Sequence, residues 1–150
     1  MTEIVGTTKL ELLFRRAAGL DVNKNDLKRL SDFVNQKVYD LLLIGQAVAK
    51  ANNRDMIEPW DLPITTGLQQ CMAESKALAG ELVHRPVLEK FVTLPMLDMG
   101  YSIGTEEIVP EVVSALIISL AKVFKILDEN LKNPQTQHWD QALRIFAVLL

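Results

Sequence analysis

Few side chains in this chain could perform acid–base or nucleophilic chemistry, and their spacing does not bring them together. His84 and His138 are the only imidazoles, and Cys71 is the only thiol. His138 and Asp140 lie two positions apart, which does not place them on one face of a helix. The sequence contains no glycine-rich phosphate loop, no HExxH metal spacing and no G-x-S-x-G motif. We therefore expect a protein that is not an enzyme, with no catalytic residue, no bound metal and no cofactor.

A different pattern lies in the stretch "NNRDMIEPWDLP", residues 52–63. Arg54 and Asp61 are seven positions apart there, and Trp60 comes directly before the aspartate. The same Trp-Asp step returns as Trp139–Asp140, again after a long apolar segment. A repeated step of this kind indicates that the two halves of the chain are related.

The composition is that of a globular protein. The 150 residues are 49% apolar and 23% charged, enough for one domain with a core or for two small units that need each other. The 16 basic and 19 acidic residues give a net charge of −3, so no strongly basic domain points to a polyanion partner. A single cysteine excludes an internal disulfide.

The most apolar run of the chain, "VVSALIISLAKVFKIL", predicts a buried helix. It covers residues 112–127 and includes Lys122 and Lys125, whereas a membrane-spanning helix needs about 20 apolar residues. The first residues show no cationic segment followed by an apolar one, so no signal peptide is predicted. We expect a soluble, cytoplasmic protein.

Apolar residues spaced three or four apart indicate helices along the whole chain. A short helix is predicted from Thr8, which has capping-box spacing with Glu11, to Gly19. Asn23 can cap the next helix, and Asp26 would lie in its first turn, where an acid favours the helix dipole. This second helix has about 28 residues and would span about 40 Å.

The order of short, long and short helices is predicted again in the second half. A second long helix is expected from about Glu106 to Leu131, and a last helix ends at Leu150. Pro110 implies that the long helix either begins near that residue or has a distorted first turn. The sequence thus predicts one compact domain, 1–150, made of two repeats at approximately 7–75 and 80–150.

The first half resembles the histone fold, a helix–loop–long helix–loop–helix unit found in archaeal histones. Val22 and Asn23 match the first loop of that family. Arg54 and Asp61 match the second loop at the family's spacing, with Ile57 as its short β-bridge residue.

In the second half, Ile103 stands at the position of the loop valine and Asp140 at that of the aspartate, while Asn133 replaces the arginine. The whole chain resembles a small bacterial family of tandem, fused-pair histone-fold proteins. The resemblance implies an all-α protein with two histone folds in tandem, packed as an intramolecular handshake pseudodimer.

The resemblance also implies roles for the repeated residues. Arg54 and Asp61 would form a structural ion pair that ties the second loop to the last helix of the repeat, a pair that specifies the fold. Trp60 and Trp139 would close the two ends of the pseudodimer as large apolar caps.

DNA binding is one function that the resemblance implies, since histone pairs hold duplex DNA through phosphate contacts. Acidic residues weigh against it, because Asp55 follows the loop arginine, and Glu106 and Glu107 lie near the start of the second long helix. Weak, non-specific binding by a nucleoid-associated protein is therefore the alternative function. The candidate DNA-binding residues are Arg15, Arg16, Lys24, Lys28, Arg29 and Arg54.

A protein partner is the preferred expectation. The last predicted helix, "WDQALRIFAVLL", ends on five large apolar residues among its final six. A chain end this apolar is expected to dock either inside the fold or on a neighbour. We therefore expect a non-enzymatic, histone-like assembly or dimerisation module that binds another protein, or a second copy, through the C-terminal helices, with no membrane partner.

Overall fold

The computed structural model describes residues 2–79 and 94–150. These ranges are mostly helical, as predicted, and they also contain a two-stranded sheet that an all-α protein would lack. The elements are α1 (Thr2–Ala18), α2 (Lys24–Ala51), β1 (Met56–Ile57), a 3-10 turn (Pro59–Asp61), α3 (Thr66–Ala79), β2 (Gly100–Tyr101), α4 (Ile103–Leu127) and α5 (Thr136–Leu149).

Helix α4 is the centre of the core. Each residue from Val112 to Ile118 is buried, and so are Leu120, Ala121 and Phe124. The other four helices of the described ranges all pack against it. The apolar run was predicted to form a buried helix, and the structure confirms this because α4 is enclosed on nearly every side.

Polar contacts hold the two lysines of α4 at the edge of the core. Lys122 Nζ lies 2.5 Å from Glu74 Oε1 of α3, so this ion pair links two packed helices. Lys125 Nζ donates a hydrogen bond of 3.0 Å to the carbonyl of Leu131 in the following loop. Both ammonium groups are thus satisfied without breaking the apolar surface of the helix.

The start of α4 differs from the prediction. The helix begins at Ile103, three residues before Glu106, because Ser102 Oγ caps it by accepting the N–H of Thr105 at 3.1 Å. Pro110 lies buried inside the helix. Since proline has no N–H, it cannot donate to the carbonyl four residues earlier, yet the enclosing core keeps the helix continuous.

Backbone contacts join the two halves of the chain at two places. Strands β1 and β2 run parallel, with Ile57 opposite Tyr101, and the Ser102 N–H donates to the Ile57 carbonyl at 3.0 Å. Elsewhere, the Asp21 N–H donates to the Lys132 carbonyl at 2.7 Å. The predicted loop position of Ile103 is wrong, since that residue begins α4 and Tyr101 is the partner of Ile57. The two-repeat division remains a prediction, because the boundary near residue 80 lies outside the described residues.

The buried carboxylate of Asp26 connects α2 to α5. Asn23 and Asp26 form a capping box, in which each side chain accepts the other's backbone N–H at 2.9 Å. The second oxygen of Asp26 accepts a hydrogen bond of 2.9 Å from Trp139 Nε1. Trp139 also packs edge-on against Phe124 of α4, with ring centroids 5.0 Å apart. One carboxylate therefore caps α2 and fixes α5.

The two Trp-Asp steps occupy different environments. Trp139 is 1% exposed, whereas Trp60 is 74% exposed and cannot act as the apolar cap that was predicted. The aspartates show the reverse, since Asp61 is buried and Asp140 is exposed. The repeated dipeptide therefore does not mark equivalent positions.

His138, rather than Asp140, is the local counterpart of Asp61. Asp61 Oδ2 accepts the backbone N–H of Glu58, three residues earlier, at 2.8 Å. His138 Nδ1 accepts the N–H of Gln135, also three residues earlier, at 3.0 Å. Asp140 therefore lies two residues later in its turn than Asp61 does, so the two Trp-Asp steps are not aligned.

The tryptophans provide a matched test of the Asp26 contact. We expect Trp139→Phe to lower the free energy of unfolding by about 1–3 kcal/mol, because it leaves a buried carboxylate oxygen without its donor. Trp60→Phe should change that free energy by less than about 0.5 kcal/mol, since Trp60 is exposed. Urea denaturation of both variants measures the difference, and equal small effects would contradict the role given to Asp26.

Candidate functional site

Helix α5 has two apolar faces, and the inner one belongs to the core. Trp139, Ala142 and Phe146 are buried on that face. Phe146 packs edge-on against Phe33 of α2, with ring centroids 4.9 Å apart. The inner face alone therefore attaches α5 to the rest of the fold.

The outer face of α5 forms one wall of an open groove of about 590 Å³. We call this groove, with the exposed apolar side chains beside it, the α5 groove. Positions 141, 144, 145, 148 and 149 follow the helical period and so share one face. The lining residues are Leu127, Gln141, Arg144, Ile145, Val148 and Leu149.

Large exposed apolar side chains lie in the α5 groove and next to one of its lining residues. Val148 and Leu149 of α5 are 84% and 71% exposed. Across the groove, Leu127 ends α4, and its neighbour Ile126 is 79% exposed. A fully exposed apolar side chain gains about 1.5–3 kcal/mol on burial, so this surface favours contact with another apolar surface.

The groove lining includes one charged side chain. Arg144 is an exposed member of the α5 wall, and Asp128 and Glu129 follow Leu127 in the chain. Asp128 Oδ1 accepts the Asn130 N–H at 3.0 Å, which holds the turn after α4. Within residues 94–150 and the described part of the first half, neither Arg144 nor Glu129 forms an ion pair.

Four of the six candidate DNA-binding residues retain no ion pair among the described residues and lie around one end of α2. Lys24 and Lys28 are exposed one turn apart on α2, and Arg16 is exposed near the end of α1. Arg29 donates a hydrogen bond of 3.2 Å to Thr136 Oγ1, in the first turn of α5. The hydrogen bond from Asp21 brings Lys132, a residue of the second half, to the same end.

The other two candidates are placed differently. Arg15 forms an exposed ion pair with Asp21, with a nitrogen–oxygen distance of 2.9 Å. Arg54 follows the far end of α2, and a helix of this length separates it from Lys24 by about 40 Å. The six residues therefore do not form one surface.

Arg54 forms a bidentate ion pair with Asp61. Its two terminal nitrogens donate to the two carboxylate oxygens at 2.7 and 2.5 Å. The Asp61 side chain is fully buried, and that of Arg54 is 32% exposed. The hydrogen bonds from Arg54 lower the pKa of Asp61, burial opposes them, and the Glu58 N–H lowers the pKa further. The same bonds raise the pKa of Arg54.

The remaining reactive side chains are separated. Cys71 is buried in α3, and burial raises the pKa of its thiol. His138 Nδ1 is occupied as a hydrogen-bond acceptor, and His84 lies outside the described residues. Across 2–79 and 94–150, no group of three or more His, Cys, Asp or Glu side chains could hold a metal ion. No described helix is long and apolar enough to cross a membrane.

With this geometry in place, the chain can be compared with known proteins. The family model for the domain of unknown function DUF1931 matches residues 10–147. That match covers most of both halves of the chain. The chain belongs to the DUF1931 family.

Similar proteins include some whose structures are known. A crystal structure of a Thermus thermophilus protein is 47% identical, covers 95% of this chain and 97% of its own, and superimposes with a TM-score of 0.85. Protein AQ328 from Aquifex aeolicus is 20% identical with a TM-score of 0.84, covering 97% of this chain and 95% of its own, which shows a shared fold. An uncharacterised Aquifex aeolicus protein is 32% identical over 87 residues, which are 57% of this chain. The match spans about half of that curated relative, 52% of its length.

These findings overturn the resemblance to the histone-fold family and to its tandem, fused-pair members. The matching family is DUF1931, and neither its description nor the similar structures indicate a histone fold. The residues that suggested the resemblance act locally: Asn23 caps a helix, and Arg54 holds Asp61 in a turn. Caps and turn ion pairs of this kind serve many helical folds, so their spacing does not specify a family.

Two features of the surface were not predicted. The position of Lys132 beside Asp21 is the first, because a contact between residues 21 and 132 is not visible in the order of residues. Sequence reasoning also left open whether the apolar end of α5 docks inside the fold. The period of 3.6 in "WDQALRIFAVLL" was the available signal, since it separates Trp139 and Phe146 from Ile145 and Val148.

The Arg54–Asp61 pair should determine part of the decrease in the free energy of unfolding at acid pH. Because the folded-state pKa of Asp61 lies below its ordinary value of about 3.9, the unfolded chain binds the proton first as pH falls. The pair's contribution to stability is thus present above about pH 4 and is lost as pH falls further. In Arg54→Met, where only the Glu58 N–H still opposes the effect of burial on the pKa of Asp61, we expect a smaller loss of unfolding free energy between about pH 5 and 3.

Urea denaturation at several pH values measures this difference. Arg15→Met is the control, because its ion pair with Asp21 is exposed on both sides and such pairs contribute little. The free energy of unfolding of Arg15→Met should depend on pH as that of the wild type does. An identical pH dependence in wild type and Arg54→Met would contradict the assignment.

Proposed function

We propose that this protein is a non-enzymatic assembly module that joins protein chains through the α5 groove. The observation that carries the proposal is the second apolar face of α5. The inner face, with Trp139 and Phe146, already attaches the helix to the core, so the fold itself does not require Ile145, Val148 and Leu149 to be apolar.

The arrangement of the exposed apolar residues supports this function. Single exposed apolar side chains are common and need no explanation. A contiguous group that lines a groove is different, because such surfaces mark interaction sites. Leu127 of α4 lines the α5 groove together with Val148 and Leu149 of α5, and the polar side chains of Gln141 and Arg144 belong to the same lining. An apolar centre with a polar rim is the usual anatomy of a protein interface.

A glutamate on the groove should disrupt the assembly. We expect Val148→Glu to release the chain to its own mass of 16.8 kDa, because a buried, unpaired carboxylate opposes association. The matched control is Ile103→Glu, at a residue that is 76% exposed and lies about 36 Å away at the other end of α4. That variant should stay in the assembly.

The measurement is size-exclusion chromatography of fresh lysates from cells that produce each form at native level, with immunodetection of the chain. Wild type and Ile103→Glu should elute well above the mass of one chain, and Val148→Glu should elute as one chain. Wild type at the mass of one chain, or three identical profiles, would overturn the proposal.

A second candidate function, weak and non-specific binding of duplex DNA, is favoured by one observation. The contact between the Asp21 N–H and the Lys132 carbonyl brings cations from both halves to one end of α2. We call this surface the basic end; its exposed members are Arg16, Lys24, Lys28 and Lys132. Four cations around one pair of loops could contact successive phosphates without reading bases.

The basic end predicts salt-dependent binding. We expect affinity for a random-sequence duplex to fall between about 50 and 200 mM salt, with a log–log slope of about −0.9 per phosphate contact. The double variant Lys24→Gln, Lys132→Gln should bind more weakly and reduce the magnitude of the slope by about two contacts. Fluorescence anisotropy of a labelled duplex provides the affinities.

The control for this experiment is the double variant Lys50→Gln, Lys76→Gln, which changes the net charge equally. Those lysines form ion pairs with Asp98 and Glu111, outside the basic end. It should bind as the wild type does. Equal weakening in both double variants would show that overall charge, rather than the basic end, attracts the duplex, and absence of binding at low salt would exclude this candidate.

A further inference from the structure

We infer that His138 makes the first turn of α5 sensitive to mild acid, so that protonation of its imidazole loosens the attachment of this helix. The inference concerns the chain itself and goes beyond the proposed assembly function. It starts from the hydrogen bond of 3.0 Å that His138 Nδ1 accepts from the Gln135 N–H. A backbone N–H can only donate, so Nδ1 carries no proton in the folded chain, and the neutral ring carries its proton on Nε2.

Three turns in the described ranges close in this way, and one of them uses an imidazole. At the start of α2, Asp26 accepts the N–H of Asn23, and in the 3-10 turn Asp61 accepts the N–H of Glu58. A carboxylate of ordinary acidity remains an acceptor above about pH 4, whereas an ordinary imidazole gains a second proton near about pH 6.5. The turn of α5 is therefore the one of these three whose acceptor is lost near neutral pH.

The closed turn of α5 does not accommodate the second proton. That proton would go to Nδ1 and point at the Gln135 N–H, and two donors cannot form a hydrogen bond with each other. The positive ring would also lie in the first turn of α5, where the helix dipole favours negative charge. His138 is only 8% exposed, so its ring has to leave the turn to be hydrated. Protonation and closure of the turn therefore oppose each other.

The surrounding charges do not hold a positive imidazole in place. Within the described residues, His138 forms no ion pair. Asp26 of α2 already accepts two hydrogen bonds, and the cations Arg29 of α2 and Lys125 of α4 oppose a further positive charge. The acids of the preceding loop and of α5 are exposed, so water screens them. The charged groups on the elements around the turn are Asp26, Arg29, Lys125, Asp128, Glu129, Lys132 and Asp140.

Opening of this turn affects the contacts that join α5 to α2. Trp139, the residue after His138, donates to the buried Asp26 carboxylate at 2.9 Å. In the same turn, Thr136 Oγ1 accepts a hydrogen bond of 3.2 Å from Arg29. Both contacts require a closed turn, because its backbone sets the positions of the two α5 side chains. Mild acid should therefore bring the Trp139 indole into contact with water.

The fluorescence of Trp139 in the purified full-length chain tests this inference. The chain has two tryptophans, so Trp60→Phe leaves Trp139 as its only indole. In this background, the emission maximum should shift reversibly to longer wavelength as the pH falls from about 7.5 to about 5.5. Adding His138→Asp should abolish the shift, because an aspartate can accept the Gln135 N–H and stays ionised in this range. His138→Asn supplies an uncharged acceptor and should abolish the shift as well.

Urea denaturation of the wild type and of the two single variants at position 138 measures the size of the effect. If the closed turn excludes the proton completely, the unfolding equilibrium constant rises about ten-fold between about pH 7.5 and 5.5. In the wild type we expect a rise about three- to ten-fold larger than in His138→Asp and His138→Asn. Both variants retain His84, so the comparison removes the contribution of that residue.

The outcomes decide the role of His138 without any partner protein. An emission maximum that stays constant in the Trp60→Phe chain would overturn the inference. So would a shift that persists after His138→Asp and His138→Asn, because another group would then cause it. If the aspartate variant is unfolded at neutral pH, the asparagine variant alone makes the comparison, and the same two results would overturn the inference.

Discussion

The need to enclose α4 constrains the rest of this structure. From Val112 to Phe124 nearly every side chain is apolar and buried, and only a narrow strip that includes Lys122 meets water. Burial of apolar surface is the main favourable term in folding, and it is gained here only when neighbours cover all sides. Four other helices in the part of the chain that the structure describes pack around α4 as a result, and each needs only one apolar face for that purpose.

Polar contacts then fix the positions of the surrounding elements. The Asp26 carboxylate holds α5 against the start of α2, and Asp61 is held in its turn by Arg54 and the Glu58 N–H. Both carboxylates are buried and fully hydrogen-bonded, which is the condition under which a charge can be placed inside a protein. These two residues position elements that the apolar core alone would leave free to slide.

The surface that remains is divided between two kinds of chemistry. The outer face of α5 and the end of α4 are apolar, while the end of α2 is basic. The first favours a protein partner through desolvation, and the second favours phosphate through charge. One small domain can carry both surfaces because α5 packs against the core with its inner face only, which leaves its outer face exposed.

The sequence by itself determined the helical class, the burial of α4 and the cap at Asn23, because these depend on apolar periodicity and on contacts within four residues. It could not determine the environments of Trp60 and Trp139, which share a dipeptide but differ in what packs over them. The family assignment made from local motifs failed for the same reason. Tertiary structure alone brought Lys132 to Asp21, joined Asp26 to Trp139 and left Val148 exposed beside Leu127, since each of these depends on residues distant in the chain that meet only when α4 is enclosed.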